Sequence, residues 1–257
     1  MQHTPTLIRY FRITRVIIHT LVGLFIAAGL LPLVNTKQRG QIIQWWCRRL
    51  LRCFNIQVKV FGKLPDHTTQ QTMFVANHIS WADIHALNSL IPVRFIAKLE
   101  IKSWPVFGYL VTKSGTLFIN RTIRKDAARI VEMTTDSLLK NENVCFFPEG
   151  TTTDGTHVLP FKSSIIQAAV DAKATIWPLT IYYPTPNGEP NLTMAYAGET
   201  TMIESMDQIL RLRYPVVELH FLEPIACAGQ TRQAVSHQAR AAIVDTFKQR
   251  HHHTGHV

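Results

Sequence analysis

Apolar and polar positions along the chain fall into three regimes. The first is a dense apolar block at residues 16–34, "VIIHTLVGLFIAAGLLPLV", nineteen positions with one His and no formal charge. A bilayer-spanning helix needs about 20 such residues, so the block predicts a membrane-embedded helix. Arg9, Arg12 and Arg15 precede it, and Lys37 and Arg39 follow. Cations on both flanks suit a segment that enters and returns, or lies partly embedded, as well as one that crosses. A cleaved leader needs a shorter apolar core and a small-x-small site, and "LPLVNTKQRG" offers neither.

The second regime is amphipathic. Over 41–54, "QIIQWWCRRLLRCF", a helical projection gathers Ile42, Ile43, Trp46, Cys47, Leu50, Leu51, Cys53 and Phe54 on one side. Arg48, Arg49 and Arg52 fall opposite with Trp45. An interfacial helix and a helix packed on the domain core both fit this pattern.

From residue 55 the period changes. "NIQVKVFG" alternates as a strand, and short apolar runs at 72–77, 93–98, 116–120, 143–147, 175–183, 191–198 and 216–222 predict further strands. Helical stretches are expected at 81–90, 100–111 (broken near Pro105), 124–140, 163–173 and 231–250, the third with Ile130, Met133, Leu138 and Leu139 inward. Strands alternating with helices imply an α/β fold, a mixed sheet covered by helices on both faces. The expected organisation is membrane-embedded or interfacial helices over 1–54, an α/β domain over 55–250, and a His-rich disordered tail over 251–257.

The net charge of +10 favours anionic partners. No zinc-finger spacing or aromatic RNA-reading motif is present in the sequence, so nucleic acid is not an expected partner. Cys47, Cys53, Cys145 and Cys227 form no C-x-x-C pair, and the histidines near the C-terminus have no partnering cysteine. Free thiols and no metal site are expected.

Three stretches at strand exits carry the chemistry, where open α/β sheets place their ligands. "NHISWAD" (77–83) sets His78 five positions ahead of Asp83. Ser80 is placed to cap the next helix, whose first turn brings the Asp83 carboxylate back to the imidazole. One ring nitrogen is then fixed by the acid and the other is left as a base. With no G-x-S-x-G in the chain, the nucleophile has to come from the substrate. "GTLFINR" (115–121) ends a strand in Arg121, a fixed cation shaped for phosphate or carboxylate. "FPEGTTTDG" (147–155) follows another strand and offers a glycine and three hydroxyls.

In this order the blocks resemble those of the glycerolipid acyltransferases, typified by 1-acylglycerol-3-phosphate acyltransferase: N-H-x-x-x-x-D, G-x-x-F-x-x-R, F-P-E-G-T and a late apolar-Pro-apolar block, here "WPL" (177–179) with Trp177 in place of a small aliphatic residue. The resemblance implies His78 as general base with Asp83 orienting it. It implies acceptor binding by Arg121, Glu149, Gly150 and Thr151, with Gly115 and Asn77 in the same motifs. Lys162 in "PFKSS" is a further candidate, at a helix start suited to an anion. The implied reaction moves an acyl group from acyl-CoA or acyl-carrier protein, used as co-substrate with no cofactor, to a lysophospholipid in a phospholipid membrane. The implied place is the cytoplasmic face of a bacterial inner membrane. The first-choice acceptor is 1-acyl-glycerol-3-phosphate and the second another lysolipid such as a lyso-ornithine lipid. Two other classes fit the same residues: a non-catalytic basic membrane-binding module, and a hydrolase using water.

Overall fold

The computed structural model describes residues 4–66, 68–120 and 122–252. Its centre is an eight-stranded mixed sheet. The strands are β1 (Gln57–Gly62), β2 (Thr72–Ala76), β3 (Arg94–Lys98), β4 (Leu117–Ile119), β5 (Val144–Phe146), β6 (Thr175–Tyr182), β7 (Val216–Phe221) and β8 (Ile225–Ala226). Their spatial order is β1-β7-β6-β2-β5-β3-β4, with β8 beside β6. Pairing is parallel except where β6 meets β7 and β8. Pro178 lies in the middle of β6, where a missing N–H normally breaks a ladder. The antiparallel pairing with β7 starts at Leu179 and that with β8 ends at Ile176, so the proline falls in the gap between the two partners.

The two-residue period of the buried strands decides which helices cover which face. Phe74 and Ala76 of β2, with Cys145 beside them on β5, join one core; Met73, Val75, Val144 and Phe146 join the other. The second core is closed by α5 (Arg124–Leu139), α6 (Gln167–Asp171) and α8 (Arg232–His252). On α5 the inward row is Ile130, Thr134 and Leu138, an i, i+4, i+8 stripe. Met133 and Leu139, expected inside, are exposed. The chain over 191–198 is not a strand: it forms a 3-10 turn at Leu192–Met194, and Tyr196 N–H donates to Ile79 C=O at 2.9 Å. The last helix runs to His252, into the expected His-rich tail, and residues 253–257 lie outside the described residues.

The first core carries α3 (Ala82–Leu90), α7 (Met202–Arg211) and the two N-terminal helices, α1 (Thr6–Phe25) and α2 (Thr36–Cys53). Asn35 starts α2 with a capping box: its Oδ1 accepts Gln38 N–H at 2.9 Å, and Gln38 Oε1 accepts Asn35 N–H at 3.2 Å. Leu50, Leu51, Cys53 and Phe54 of α2 share the core with Phe74, Trp177 and Leu219, so the expected boundary at residue 54 marks no break in packing. Arg48, Arg49 and Arg52 face outward as anticipated. The helices cross closely at Gly23, where a Cβ would lie 2.6 Å from Trp46 Nε1. Arg12 fastens α1 to the end of α7, donating to Leu212 C=O at 2.7 Å and Arg213 C=O at 3.0 Å.

The outer side of α1 is a different surface. The helical run Thr6–Leu33 is long and apolar enough to cross a membrane, yet only 28% of its most apolar window is buried. A core helix of that composition would be mostly covered. Here Leu7, Phe11, Ile18, Leu21, Phe25 and Leu33 stand exposed.

Candidate functional site

β2 delivers its C-terminal end to the site, and Asn77 locks it there. The Asn77 Nδ2 donates to Ile181 C=O at 2.9 Å and its Oδ1 accepts Ile181 N–H at 2.7 Å. Both ends of the side chain are spent on β6, so Asn77 anchors the strand exit and does not line a cavity.

His78 follows. Its Nδ1 lies 2.8 Å from Oδ2 of Asp83, which is fully buried. The same oxygen accepts the N–H groups of Ile79 at 2.8 Å and Ser80 at 3.0 Å, and Oδ1 accepts the Tyr183 hydroxyl at 2.5 Å. The backbone turn before α3 is thus held by Asp83 reaching back, and not by the expected Ser80 cap: Trp81 occupies the N-cap position without a side-chain cap, and Ser80 Oγ makes only a 3.4 Å contact with Ala82 N. Burial and the neighbouring carboxylate push the Tyr183 phenol well above its ordinary range, so it remains a donor. An acceptor-only carboxylate on Nδ1 selects the tautomer of the neutral ring that carries its proton there and presents Nε2 as an acceptor. The ring stacks on Phe147 with centroids 3.9 Å apart and planes 8° from parallel, and it lines a cavity.

The loop after β5 supports His78 from the other side. Glu149 turns its carboxylate inward: Oε1 accepts His78 N–H at 2.7 Å and Oε2 accepts Leu159 N–H at 2.7 Å. His78 C=O in turn accepts Thr153 N–H at 2.9 Å. Burial raises the Glu149 carboxyl to about 7, against the pull of those two N–H groups. Glu149 therefore holds the loop that carries His78, whereas the family motif implied contact with the acceptor. Gly150, at φ 79°, and Thr151 do line the cavity, with Thr152.

The remaining expected residues are less central. Gly115 makes the turn before β4 at φ 88°, its C=O accepting Arg94 Nε–H at 2.9 Å, and it stands outside the lining that Ser114 and Thr116 supply. Lys162 is exposed and outside the lining, with its backbone N–H on Pro148 C=O at 2.9 Å. Arg121 lies outside the described residues.

The cavity holds about 640 Å³. It runs from His78 and Trp81 between α3 and the N-terminal helices to Ile43 and Leu31, with Trp46, Leu50 and Phe54 along its side. Its far wall is a 3-10 turn (Leu99–Ser103) and α4 (Phe107–Lys113), through Ile101, Trp104, Phe107 and Leu110. Val106 joins these two in a γ-turn, φ 64° and ψ −59°, with Phe107 N–H on Pro105 C=O at 2.6 Å. A shaft this apolar, with an imidazole at one end, is suited to a hydrocarbon chain whose polar end lies beside His78. Tyr183 and the walls formed by α1 and α2 carry no chemical signal in the sequence, where they read as core, interfacial or membrane helix, while Phe147 belongs to the F-P-E-G-T block without a role assigned to its ring.

The Acyltransferase family model matches residues 56–182. The chain is 33% identical over 208 residues to a lyso-ornithine lipid O-acyltransferase of Pseudomonas aeruginosa, covering 81% of this chain and 79% of that one. It is 39% identical over 150 residues to a 1-acyl-sn-glycerol-3-phosphate acyltransferase of Neisseria meningitidis, covering 58% of each. The crystal structure of the 1-acyl-sn-glycerophosphate acyltransferase PlsC from Thermotoga maritima has the same fold, with a TM-score of 0.61 at 21% identity over 93% of this chain and 97% of that one.

Proposed function

The chain belongs to the glycerolipid acyltransferase family, and from that premise we propose that it moves a fatty acyl group from a thioester to the free hydroxyl of 1-acyl-glycerol-3-phosphate, using His78 as general base. The observation carrying this reading is the His78–Asp83 pair, one nitrogen bound by a buried carboxylate and the other facing an apolar shaft. His78 Nε2 takes the hydroxyl proton as the oxygen attacks the thioester carbonyl. The imidazolium that forms is stabilised by Asp83. The tetrahedral intermediate then collapses, the C–S bond breaks, and the proton passes from His78 to the departing thiolate. Backbone N–H groups of Thr151 and Thr152, which line the cavity and have no hydrogen-bond acceptor among the described residues, are the candidates to meet the developing oxyanion.

The donor is acyl-CoA or acyl-carrier protein, both anionic and matched to a chain of net charge +10. The exposed apolar side of α1 lies in the bilayer, so the lipid acceptor reaches His78 from the membrane, at the cytoplasmic face of the inner membrane, while the apolar cavity takes the acyl chain of the donor. A phosphate-bearing acceptor is supported by the Neisseria relative, which has the higher identity over its matched region. A second reading, a lyso-ornithine lipid, is supported by the Pseudomonas relative, which matches more of the chain.

The test is a transfer assay in phospholipid vesicles with purified full-length protein, acyl-CoA and acyl-carrier protein, and a panel of lysolipids. Acylation of lysophosphatidate that is lost in His78→Ala supports the proposal. Rapid use of another acceptor with lysophosphatidate untouched overturns the choice of substrate. Free fatty acid without acylated product makes the protein a hydrolase.

A further inference from the structure

α3 presents Trp81, Ile84, His85 and Asn88 to the cavity, the i, i+3, i+4, i+7 face of the helix. Two of the four are polar, along a wall that α2 opposes with Ile43, Trp46 and Leu50. Asn88 is only 6% exposed. Its Oδ1 accepts Val93 N–H at 3.0 Å, while its Nδ2 has no hydrogen-bond partner among the described residues. That nitrogen is not sealed from solvent, so it is open to a group in the cavity.

His85 repeats the situation three residues earlier. Its Nδ1 lies 3.5 Å from Cys47 Sγ. Burial pushes the Cys47 thiol far up and the His85 imidazole down to about 4, so both are neutral. Either the S–H donates to Nδ1 or Nδ1–H donates to the sulfur, so the neutral ring offers Nε2 as a donor in one tautomer and an acceptor in the other. In both, Nε2 has no hydrogen-bond partner among the described residues. The ring is held edge-on by Trp46 and Trp81, with centroids 5.7 Å away in each case. Two polar nitrogens about one turn apart therefore stand in the shaft without a protein partner among the described residues.

We infer that His85 and Asn88 recognise an oxygen substituent, a hydroxyl or keto group, on the hydrocarbon chain that fills the cavity, so that oxygenated acyl chains are a preferred substrate class. The inference rests on the acyl-transfer reading. The helix rise of 1.5 Å per residue puts His85 and Asn88 about 3 and 7.5 Å beyond Asp83 along the axis. The shaft follows α3 in that direction: Phe54 packs on Trp81 at its start, and Gln44 Nε2 donates to Leu90 C=O at its end. The substituent accordingly belongs to the carboxyl half of the chain and not to its methyl end. A plain chain leaves both polar nitrogens facing methylenes, the situation in which a polar site discriminates most strongly.

The experiment uses full-length protein in phospholipid vesicles and acyl thioesters of one length, plain or carrying a hydroxyl at successive positions from the third carbon to mid-chain. Wild type is expected to favour one hydroxylated position over the plain chain by about tenfold or more in kcat/KM. Asn88→Leu and His85→Phe are each expected to lose that preference, read as the ratio of kcat/KM for the hydroxylated over the plain donor falling to about one. Equal or better use of the plain chain at every position in wild type overturns the inference and makes the pair a water site; this comparison needs no variant to fold. A preference that survives both substitutions also overturns it, as does a change in chain-length preference alone. His78-dependent transfer from the plain donor verifies the underlying acyl transfer independently, so the two failures are told apart.

Discussion

Asp83→Asn isolates the charge of the buried acid from its geometry. The asparagine oxygen can keep the place of Oδ2, accepting from His78, Ile79 and Ser80, while its amide turns to Tyr183, whose hydroxyl rotates to accept. The fold is retained and the negative charge is lost. With N to O at 2.8 Å, the charge centres of imidazolium and carboxylate lie roughly 4 Å apart, which corresponds to about 4 kcal/mol at an effective dielectric constant near 20. That attraction exists only once His78 has taken the proton, so it lowers the barrier and not the ground state. At about 1.4 kcal/mol per decade, kcat should fall by about a thousandfold. The assay is continuous release of thiol from the thioester donor in vesicles, with thermal melting as the control for folding. A variant that melts like wild type and keeps kcat within about fivefold, or changes KM alone, refutes the electrostatic role.

Removing the hydroxyl in Tyr183→Phe leaves Oδ1 of Asp83 buried with one donor fewer, and is expected to lower stability by about 1–3 kcal/mol, read by chemical denaturation in micelles. Asn77→Ala breaks two buried bonds to Ile181 and should destabilise by about 2–4 kcal/mol while leaving KM for the acyl donor near that of wild type in steady-state assays. Glu149 holds its proton up to about 7 in the folded chain but ionises near 4.5 when unfolded, so the folded state carries the extra proton between those values. Stability from this group is full below about 4.5 and declines as pH rises to about 7, by on the order of 3 kcal/mol; denaturation at pH 5 and pH 8 should show this slope in wild type and not in Glu149→Gln. Leu21→Lys with Phe25→Lys on the open side of α1 should release protein from vesicles in flotation assays without changing the melting of micellar protein.

The contact between His78 and Asp83 was legible in the sequence because its signal is local. A strand exit, five residues and a helix start bring His78 to Asp83 whatever the distant chain does. The sheet was legible for the same reason, through the period of each strand. Long-range partners were not. Nothing near Asp83 marks Tyr183 as its third support, a hundred residues on, and Glu149 reads as a binding residue until its carboxylate is seen to face His78 N–H and Leu159 N–H. On α5, Met133 and Leu139 were assigned inward on hydrophobicity, yet the helix phase set by Ile130 and Leu138 puts Thr134 there. The run at 191–198 alternates like a strand, but its N–H groups at Asn191 and Tyr196 are claimed by Tyr183 and Ile79. Tertiary partners decided each of these positions.

The peptide of His78 is gripped at both ends, its N–H by Glu149 and its C=O by Thr153, while the residue before it is bolted to β6 through Ile181. Two loops from separate strands thus move as a single body. Such a site has little freedom to mould itself around different reactants. Tolerance for substrates of unlike length or shape must reside in the opposite wall, where Val106 occupies an unfavourable backbone turn between two short helical pieces and relaxation at one residue can shift Trp104 and Phe107 together. Stiffness at the reacting atoms and compliance along the shaft are divided between different segments of the chain.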